Sequence, residues 1–253
     1  MTRYFMELAY MGGPFAGFQV QNNAVTVQSE VEKALHTFFR HEIALTGSSR
    51  TDTGVHARQN YFHFDFEGGI SEKAVYNLNA IVHPAIVIKR IVAMQPSAHS
   101  RFDAISREYE YTVLWGKDPF RSDRSYRYPF PLELTLLREA AEIVKGYSDF
   151  ASFSKRGSQV RTTICSIERS EWEEIEGGFV YRVRGSRFLR GMVRGLVGTM
   201  LKVGRKKWSI EEFKSIIEMK DATKADFSVP GHGLSLIKVN YEEGYFERGG
   251  KKV

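Results

Sequence analysis

Two hydrophobic periods alternate along the first half of the chain, one typical of strands and one typical of helices. Residues 60–66 alternate strictly, with three phenylalanines on one face and Tyr61, His63 and Asp65 on the other. Residues 26–40 instead carry apolar residues three and four positions apart, which indicates one face of a helix. We therefore predict strands over 3–10, 43–45, 60–66 and 86–94, and helices over 26–40 and 72–82.

The second half of the chain repeats this order of elements. Ser209 and Glu212 form a capping box, in which each side chain bonds the other residue's backbone, so a further helix begins there. Ser71 is a candidate N-cap for the helix over 72–82. The predicted elements of the second half are strands over 107–114, 162–172, 179–185 and 234–240, and helices over 136–144, 189–200 and from 210 onward.

The order β-α-β-β-α-β, found twice, predicts an α+β fold built from two ferredoxin-like halves. We expect the halves to be related by a pseudo-twofold and joined into a mainly antiparallel sheet with a central active-site cleft. The predicted division is an N-terminal half over 1–105, a C-terminal half over 106–247 and a frayed tail over 248–253.

Composition narrows the class of protein. The chain has 253 residues, 42% hydrophobic and 26% charged, as in a globular protein with a substantial core. Its single cysteine, Cys165, allows no intrachain disulfide and no cysteine-rich zinc site, which indicates a reducing compartment. No signal peptide and no apolar run long enough to span a bilayer are evident, so we expect a cytoplasmic protein without a membrane partner.

Positive charge is concentrated in one segment of the second half. The net charge is +6, and the segment from 182 to 207 contains no acidic residue. Arg190 and Arg194 are four residues apart and are predicted to share one helical face, next to Arg184 on the preceding strand. We therefore predict a phosphate-binding surface for nucleic acid. Its members are Arg182, Arg184, Arg187, Arg190, Arg194, Lys202, Arg205, Lys206 and Lys207.

The octapeptide over 50–57 holds the strongest candidate for catalysis. Asp52 stands two residues after Arg50 and two before Gly54, between two predicted strands. Asp and Gly favour a tight turn, and a neighbouring cation keeps a carboxylate ionised, so Asp52 is a candidate nucleophile or general base. A plain turn is one alternative. An aspartic protease is another, but its chemistry needs two such carboxylates and the chain has one Asp-Thr-Gly.

Several ordered motifs resemble those of the tRNA pseudouridine synthase A family, and together they run through most of the chain. The matching segments are 17–21 with 26–28, 50–57, 100–104 with 107–111, 149–153, 188–194 and 233–234. Phe18 stands where the family usually has Trp. Residues 82–85 also depart from its usual pattern, which leaves the choice among neighbouring uridines open.

The resemblance implies isomerisation of uridine to pseudouridine at positions 38 to 40 of the tRNA anticodon stem-loop. It implies a homodimer, and neither metal nor organic cofactor. Asp52 would be the catalytic aspartate, and Arg50 would help to extrude the target nucleotide. Tyr109 would stack on the base, Arg194 would pair with Asp52, and Leu234 would wall the pocket.

Two rival functions use other residues. A uridine methyltransferase would need a cysteine nucleophile and a Gly-rich cofactor loop, and Cys165 lies in a predicted strand without such a loop. An RNA-binding protein without catalytic activity would use exposed aromatic platforms on its sheets. The candidates for such platforms are Phe62, Phe64, Phe179 and Tyr181.

Overall fold

The computed structural model describes residues 1–155, 157 and 160–247, and the predicted tail over 248–253 lies outside them. These residues contain nine strands and five α-helices. The strands are β1 (Thr2–Tyr10), β2 (Thr46–Gly47), β3 (His56–Phe66), β4 (Ile86–Met94), β5 (Ser106–Leu114), β6 (Tyr126–Arg127), β7 (Ile167–Ile175), β8 (Gly178–Gly185) and β9 (Leu234–Asn240). The helices are α1 (Val27–Phe39), α2 (Ala74–Ile81), α3 (Leu134–Val144), α4 (Met192–Gly204) and α5 (Ile210–Glu218).

The chain forms two compact units with mixed α+β structure. The first unit comprises Met1–Ile105 and Leu236–Val253, and the second comprises Ser106–Ser235. In the first unit the strand order is β4-β1-β3-β9, and β1 pairs antiparallel with both β3 and β4. In the second unit β5, β8 and β7 form an antiparallel sheet, and β6 adds to β5 in parallel. The mainly antiparallel pairing is as predicted, while the pseudo-twofold remains a prediction.

The helices of the first unit begin where local chemistry satisfies their backbone. Thr26 and Ser29 form a capping box at the start of α1, whose apolar stripe is buried at Val27, Val31 and Leu35. Ser71 does not cap α2, contrary to the prediction. Residues 71–74 instead form a turn in which the Ser71 carbonyl accepts a bond from the Ala74 amide, and this delays the helix to Ala74.

Residues 236–247 pack on the sheet of the first unit, and this corrects the predicted boundary. Tyr241 and Phe246 pack on Tyr61 with ring centroids 5.3 and 5.5 Å away, and Tyr245 lies 6.1 Å from Phe5. The backbone amide of Val239, on β9, donates to the Gln59 side chain at 3.1 Å. Strand pairing and aromatic packing therefore place this end of the chain in the first unit, not with the C-terminal half.

The strand predicted over 43–45 is not formed, and the strand predicted over 162–172 is shorter in the structure. Ile43 and Leu45 are buried but lie before β2, which has only two residues. The strand predicted over 162–172 begins at Ile167, and only an isolated bridge between Asp149 and Ile164 precedes it. In the first segment the alternation reflects burial of Ile43 and Leu45, while in 162–166 only Cys165 is buried, and neither segment has a ladder of strand hydrogen bonds.

Helix α4 crosses the second unit with almost all of its residues buried. An added Cβ at Gly198 would lie 2.2 Å from the Asp226 carbonyl oxygen, and one at Gly195 would lie 2.8 Å from the Phe227 ring. These glycines therefore allow close packing of the helix. The capping box of Ser209 and Glu212 is confirmed at the start of α5.

Candidate active site

The candidate catalytic residues of the first unit lie on the connection between β2 and β3, here called the Asp52 loop (residues 48–55). The Val55 amide donates to the Asp52 carbonyl at 3.1 Å, and Gly54 has a φ of +77°, which closes a tight turn. Arg50 is exposed and Asp52 is half-buried. The predicted turn ahead of a strand is confirmed, and Asp52 is only partly buried within it.

Thr51 is held by hydrogen bonds to two other segments of the first unit. Its Oγ1 lies 2.8 Å from the buried Tyr10 hydroxyl, and its carbonyl accepts a bond from the Phe18 amide at 3.1 Å. Gly17 has a φ of +110°, and an added Cβ there would lie 3.1 Å from the same carbonyl. The segment over 17–21 therefore helps to position the Asp52 loop.

Both ends of the loop are tied to strands. Asn60, fully buried on β3, donates to the Ser49 carbonyl at 2.8 Å and to the Tyr10 hydroxyl at 3.2 Å. At the other end the Gly12 amide donates to Nδ1 of His56 at 3.0 Å. An accepting Nδ1 carries no proton, so a neutral His56 ring is protonated on Nε2.

Tyr109 lies on β5 in the second unit, buried beside Phe188 with ring centroids 5.1 Å apart at an interplanar angle of 80°. Tyr111, two residues along, donates its hydroxyl to the Pro230 carbonyl at 2.8 Å. Burial raises the pKa of the Tyr111 phenol above its usual range. Tyr111 therefore has a structural hydrogen bond.

Arg194 and Leu234 also belong to the second unit. The Arg194 guanidinium donates through Nε to the Val229 carbonyl at 2.9 Å and through Nη2 to the Phe227 carbonyl at 3.4 Å. Leu234 is buried at the start of β9. Since Arg50 and Asp52 lie in the first unit, the pairing of Arg194 with Asp52 and a shared pocket remain predictions.

The basic segment differs from the acid-free surface that the sequence predicted. Arg182 pairs with Glu110 at 2.8 Å and also with Glu173, while Arg184 pairs with Glu168 at 2.8 Å. The acidic partners come from β5 and β7, which flank β8. Counting charged residues along the basic segment alone therefore could not find them. The strand register could have found Glu110, because it alternates with apolar residues on β5 as Arg182 does on β8.

Arg190 lies outside the helix in which it was predicted. Helix α4 begins at Met192, and Gly191 before it has a φ of +73°, so the exposed Arg190 occupies a turn. Its carbonyl accepts a bond from the Lys155 amide at 2.9 Å. Arg190 and Arg194 therefore do not share a helical face, and their binding of tRNA stays a prediction.

Proteins that share one name are similar to this chain over nearly its full length. Residues 140–242 match the family model described as tRNA pseudouridine synthase. The tRNA pseudouridine synthase A of Azobacteroides pseudotrichonymphae is 41% identical over 98% of this chain and all of the relative. That of Bacteroides thetaiotaomicron is 43% identical over all of this chain and 95% of the relative. The chain belongs to the tRNA pseudouridine synthase A family.

Comparison with solved structures adds nothing to this assignment. A chain of a Cas6-RT-Cas1–Cas2 complex aligns with 81% of this family member and 44% of its own length, at a TM-score of 0.23 and 11% identity. A score that low carries no argument about fold. Membership of the pseudouridine synthase A family rests on the sequence relatives.

The aromatic platforms of the rival RNA-binding function are core residues in this family member. All four are buried: Phe62, Phe64, Phe179 and Tyr181. They cannot stack on bases, so this alternative loses its proposed surface. Over 1–155, 157 and 160–247, no three His, Cys, Asp or Glu side chains group as metal ligands, and no helix is long and apolar enough to cross a membrane.

Tyr10 and Asn60 are residues of the site that the sequence analysis missed. Both lie in predicted strands, where a tyrosine or an asparagine is ordinarily assigned to the core or to the surface. A signal was present for Asn60, since it immediately precedes the alternating aromatic run. Its burial with hydrogen bonds to the Asp52 loop is seen only in the folded chain.

Proposed function

We propose that this protein isomerises uridine to pseudouridine in tRNA, at positions 38, 39 and 40 of the anticodon stem-loop, with Asp52 as the catalytic group. The observation that carries the proposal is the geometry of the Asp52 loop in a member of this family. A half-buried carboxylate stands at a tight turn whose neighbouring backbone is fixed on both sides. Such a group is accessible to a nucleotide and held in one direction.

The reaction rearranges one nucleoside and is balanced without a second reactant. The N-glycosidic bond between N1 and C1′ breaks, the uracil turns, and a bond forms between C5 and C1′. The C5 proton is lost and N1 gains a proton. The Asp52 carboxylate would promote cleavage by attacking the sugar or the base.

Access to the target base requires that the nucleotide leave the stem. Arg50 is exposed beside Asp52 on the same loop. Its side chain can therefore enter the RNA helix of the stem and take the place of the extruded nucleotide. Tyr109 offers a flat ring for stacking on the flipped uracil, and the apolar Leu234 would line the pocket. Arg194 would keep Asp52 ionised.

Binding of the tRNA body would use the exposed cations of the second unit. Arg190 is the clearest candidate because its side chain is exposed on a turn before α4. Arg184 would contribute less, since Glu168 already pairs with it. We further propose that the protein acts in the cytoplasm as a homodimer, as the family resemblance implies.

Mapping pseudouridine after incubation with unmodified tRNA tests this function. The wild-type protein should produce carbodiimide-dependent reverse-transcription stops at positions 38 to 40, and Asp52→Asn should produce none while still binding tRNA. Asp123→Asn, which alters an exposed carboxylate paired with Arg124, is the control and should behave as wild type. Bound tRNA without stops from the wild-type protein would contradict the proposal.

A further inference from the structure

We infer that Tyr10 and Asn60 are positioning residues that fix the direction in which Arg50 and Asp52 are presented. The inference rests on the proposed function of Asp52. It concerns a connected set of hydrogen bonds that begins on β3, passes through β1 and ends on both sides of Arg50. Neither residue is placed to touch the reacting atoms, so their action would be through the loop.

Asn60 uses all of its polar side-chain atoms within the protein. Its Nδ2 donates to the Ser49 carbonyl at 2.8 Å and to the Tyr10 hydroxyl at 3.2 Å, while its Oδ1 accepts from the Tyr61 amide at 2.9 Å. The side chain is fully buried. Buried amides with satisfied partners have a single favourable orientation, because any other orientation leaves polar groups unpaired.

Tyr10 extends this set of hydrogen bonds to the residue on the other side of Arg50. Its hydroxyl accepts from Asn60 and also shares a hydrogen bond of 2.8 Å with Thr51 Oγ1, in which either oxygen can donate. One hydroxyl group therefore joins the strand asparagine to the residue immediately before Asp52. The two bonds, to Ser49 and to Thr51, hold the residues on either side of Arg50.

Two hydroxyl groups of the loop add no side-chain restraint. The Ser48 and Ser49 hydroxyls are buried and have no hydrogen-bond partner among the residues that the structure describes. The fixation there comes from backbone bonds and from Asn60 and Tyr10. A shift of about 1 Å in a catalytic group can cost roughly a hundredfold in rate, so loosening these bonds should reduce catalysis more than binding.

Tyr10→Phe tests the inference against a closely matched control, Tyr4→Phe. Both tyrosines lie on β1 on the same face of the strand, both are 4% exposed, and the Tyr4 hydroxyl also donates one hydrogen bond, to the Gly68 carbonyl at 3.1 Å. Only the Tyr10 bond reaches the Asp52 loop. We expect Tyr10→Phe to lower the single-turnover rate at saturating enzyme about tenfold and Tyr4→Phe to stay within about twofold. The dissociation constant for tRNA should change little in either variant.

A double-mutant cycle separates positioning from general destabilisation. Thr51→Val removes the other partner of the same hydrogen bond, so Tyr10→Phe combined with Thr51→Val should be no slower than the slower single variant. Thr51→Ser keeps the hydroxyl and should retain most of the rate. Asn60→Asp, which replaces the donating Nδ2 by an oxygen, should lower the rate at least as much as Tyr10→Phe.

The outcomes distinguish this inference from the proposed function. Equal rates in Tyr10→Phe and Tyr4→Phe, or additive effects in the cycle, would overturn the positioning role while leaving an inactive Asp52→Asn to support the function. An active Asp52→Asn would overturn both. A rate loss in Tyr10→Phe that disappears when the two tyrosine variants are compared at equal folded fraction would also overturn the positioning role.

Discussion

At the scale of single residues, the structure assigns different tasks to side chains that look alike in the sequence. Asp52 stands on a turn, and that turn could be predicted from Asp-Thr-Gly alone. Its support could not, because Tyr10 and Asn60 are 50 positions apart in the chain and meet only through the pairing of β1 with β3. The hydrogen bond from the Tyr111 hydroxyl to the Pro230 carbonyl likewise could not be predicted from the sequence.

His63 should make folding stability depend on pH. Burial first, and then the neighbouring His99, lower the pKa of His63 from 6.5 to about 4. Its ring nitrogen Nδ1 accepts a bond from the Ser100 amide at 3.2 Å. The unfolded state therefore binds the proton more readily, and stability is lost as the pH falls from about 6.5 towards 4.

Between pH 7.5 and pH 5 this loss should be about 2 kcal/mol in the free energy of unfolding. His63→Asn keeps an acceptor near the same place but does not titrate, so it should lose less stability over that range. Urea unfolding at the two pH values measures the difference. An identical loss in the wild-type protein and in His63→Asn would contradict the assignment.

At the scale of elements, periodicity predicted most helices and strands because each has one or two buried faces. It failed for 43–45, where Ile43 and Leu45 are buried without forming a strand, and for 162–166, which is mostly exposed and precedes β7. It also failed to predict the charges around β8. There the acids of β5 and β7 neutralise Arg182 and Arg184 across the sheet, a relation that only the register reveals.

This neutralisation predicts unequal roles for two arginines in tRNA binding. Arg190→Ala should weaken binding and lower the slope of log K against log salt by about one, because an exposed cation that contacts a phosphate releases one counterion. Arg182→Ala should leave the slope unchanged, since Glu110 and Glu173 already occupy its guanidinium. Titrations with tRNA at several salt concentrations measure both slopes. A larger change of slope for Arg182→Ala would show that β8 carries the phosphate contact.

At the scale of the whole molecule, the two units are not two consecutive halves of the sequence. In sequence, the second unit stands between two parts of the first. Strand β9 and the aromatic residues that follow it come after the second unit but belong to the first. Sequence patterns predicted β9 but not its unit, because a strand's apolar face does not identify its neighbour. The expected pseudo-twofold and cleft remain predictions.

Phe246 should contribute to folding although it lies near the end of the chain. Its ring stacks on Tyr61 with centroids 5.5 Å apart, and the Arg90 guanidinium lies 4.6 Å from its centre. We expect Phe246→Ala to lower the free energy of unfolding by about 2 kcal/mol, less than for a fully buried phenylalanine because Phe246 is half-buried.

Phe120→Ala is the control for this change, since that side chain is 85% exposed and should alter stability by less than about 0.5 kcal/mol. Denaturant unfolding of both variants provides the comparison. Equal stabilities would mean that the aromatic residues after β9 do not hold the first unit together.

The most direct test of the account is release of tritium from tRNA labelled at C5 of uridine, measured for the wild-type protein and for Asp52→Asn at equal tRNA occupancy. Pseudouridine carries a C5–C1′ bond in place of the C5–H bond, so each completed turnover releases the C5 hydrogen and tritium release counts turnovers. The account predicts release by the wild-type protein and a rate at least about a thousandfold lower for Asp52→Asn, because removing a catalytic nucleophile commonly costs that much or more. Release by Asp52→Asn at a rate near that of the wild-type protein would contradict the role given to Asp52.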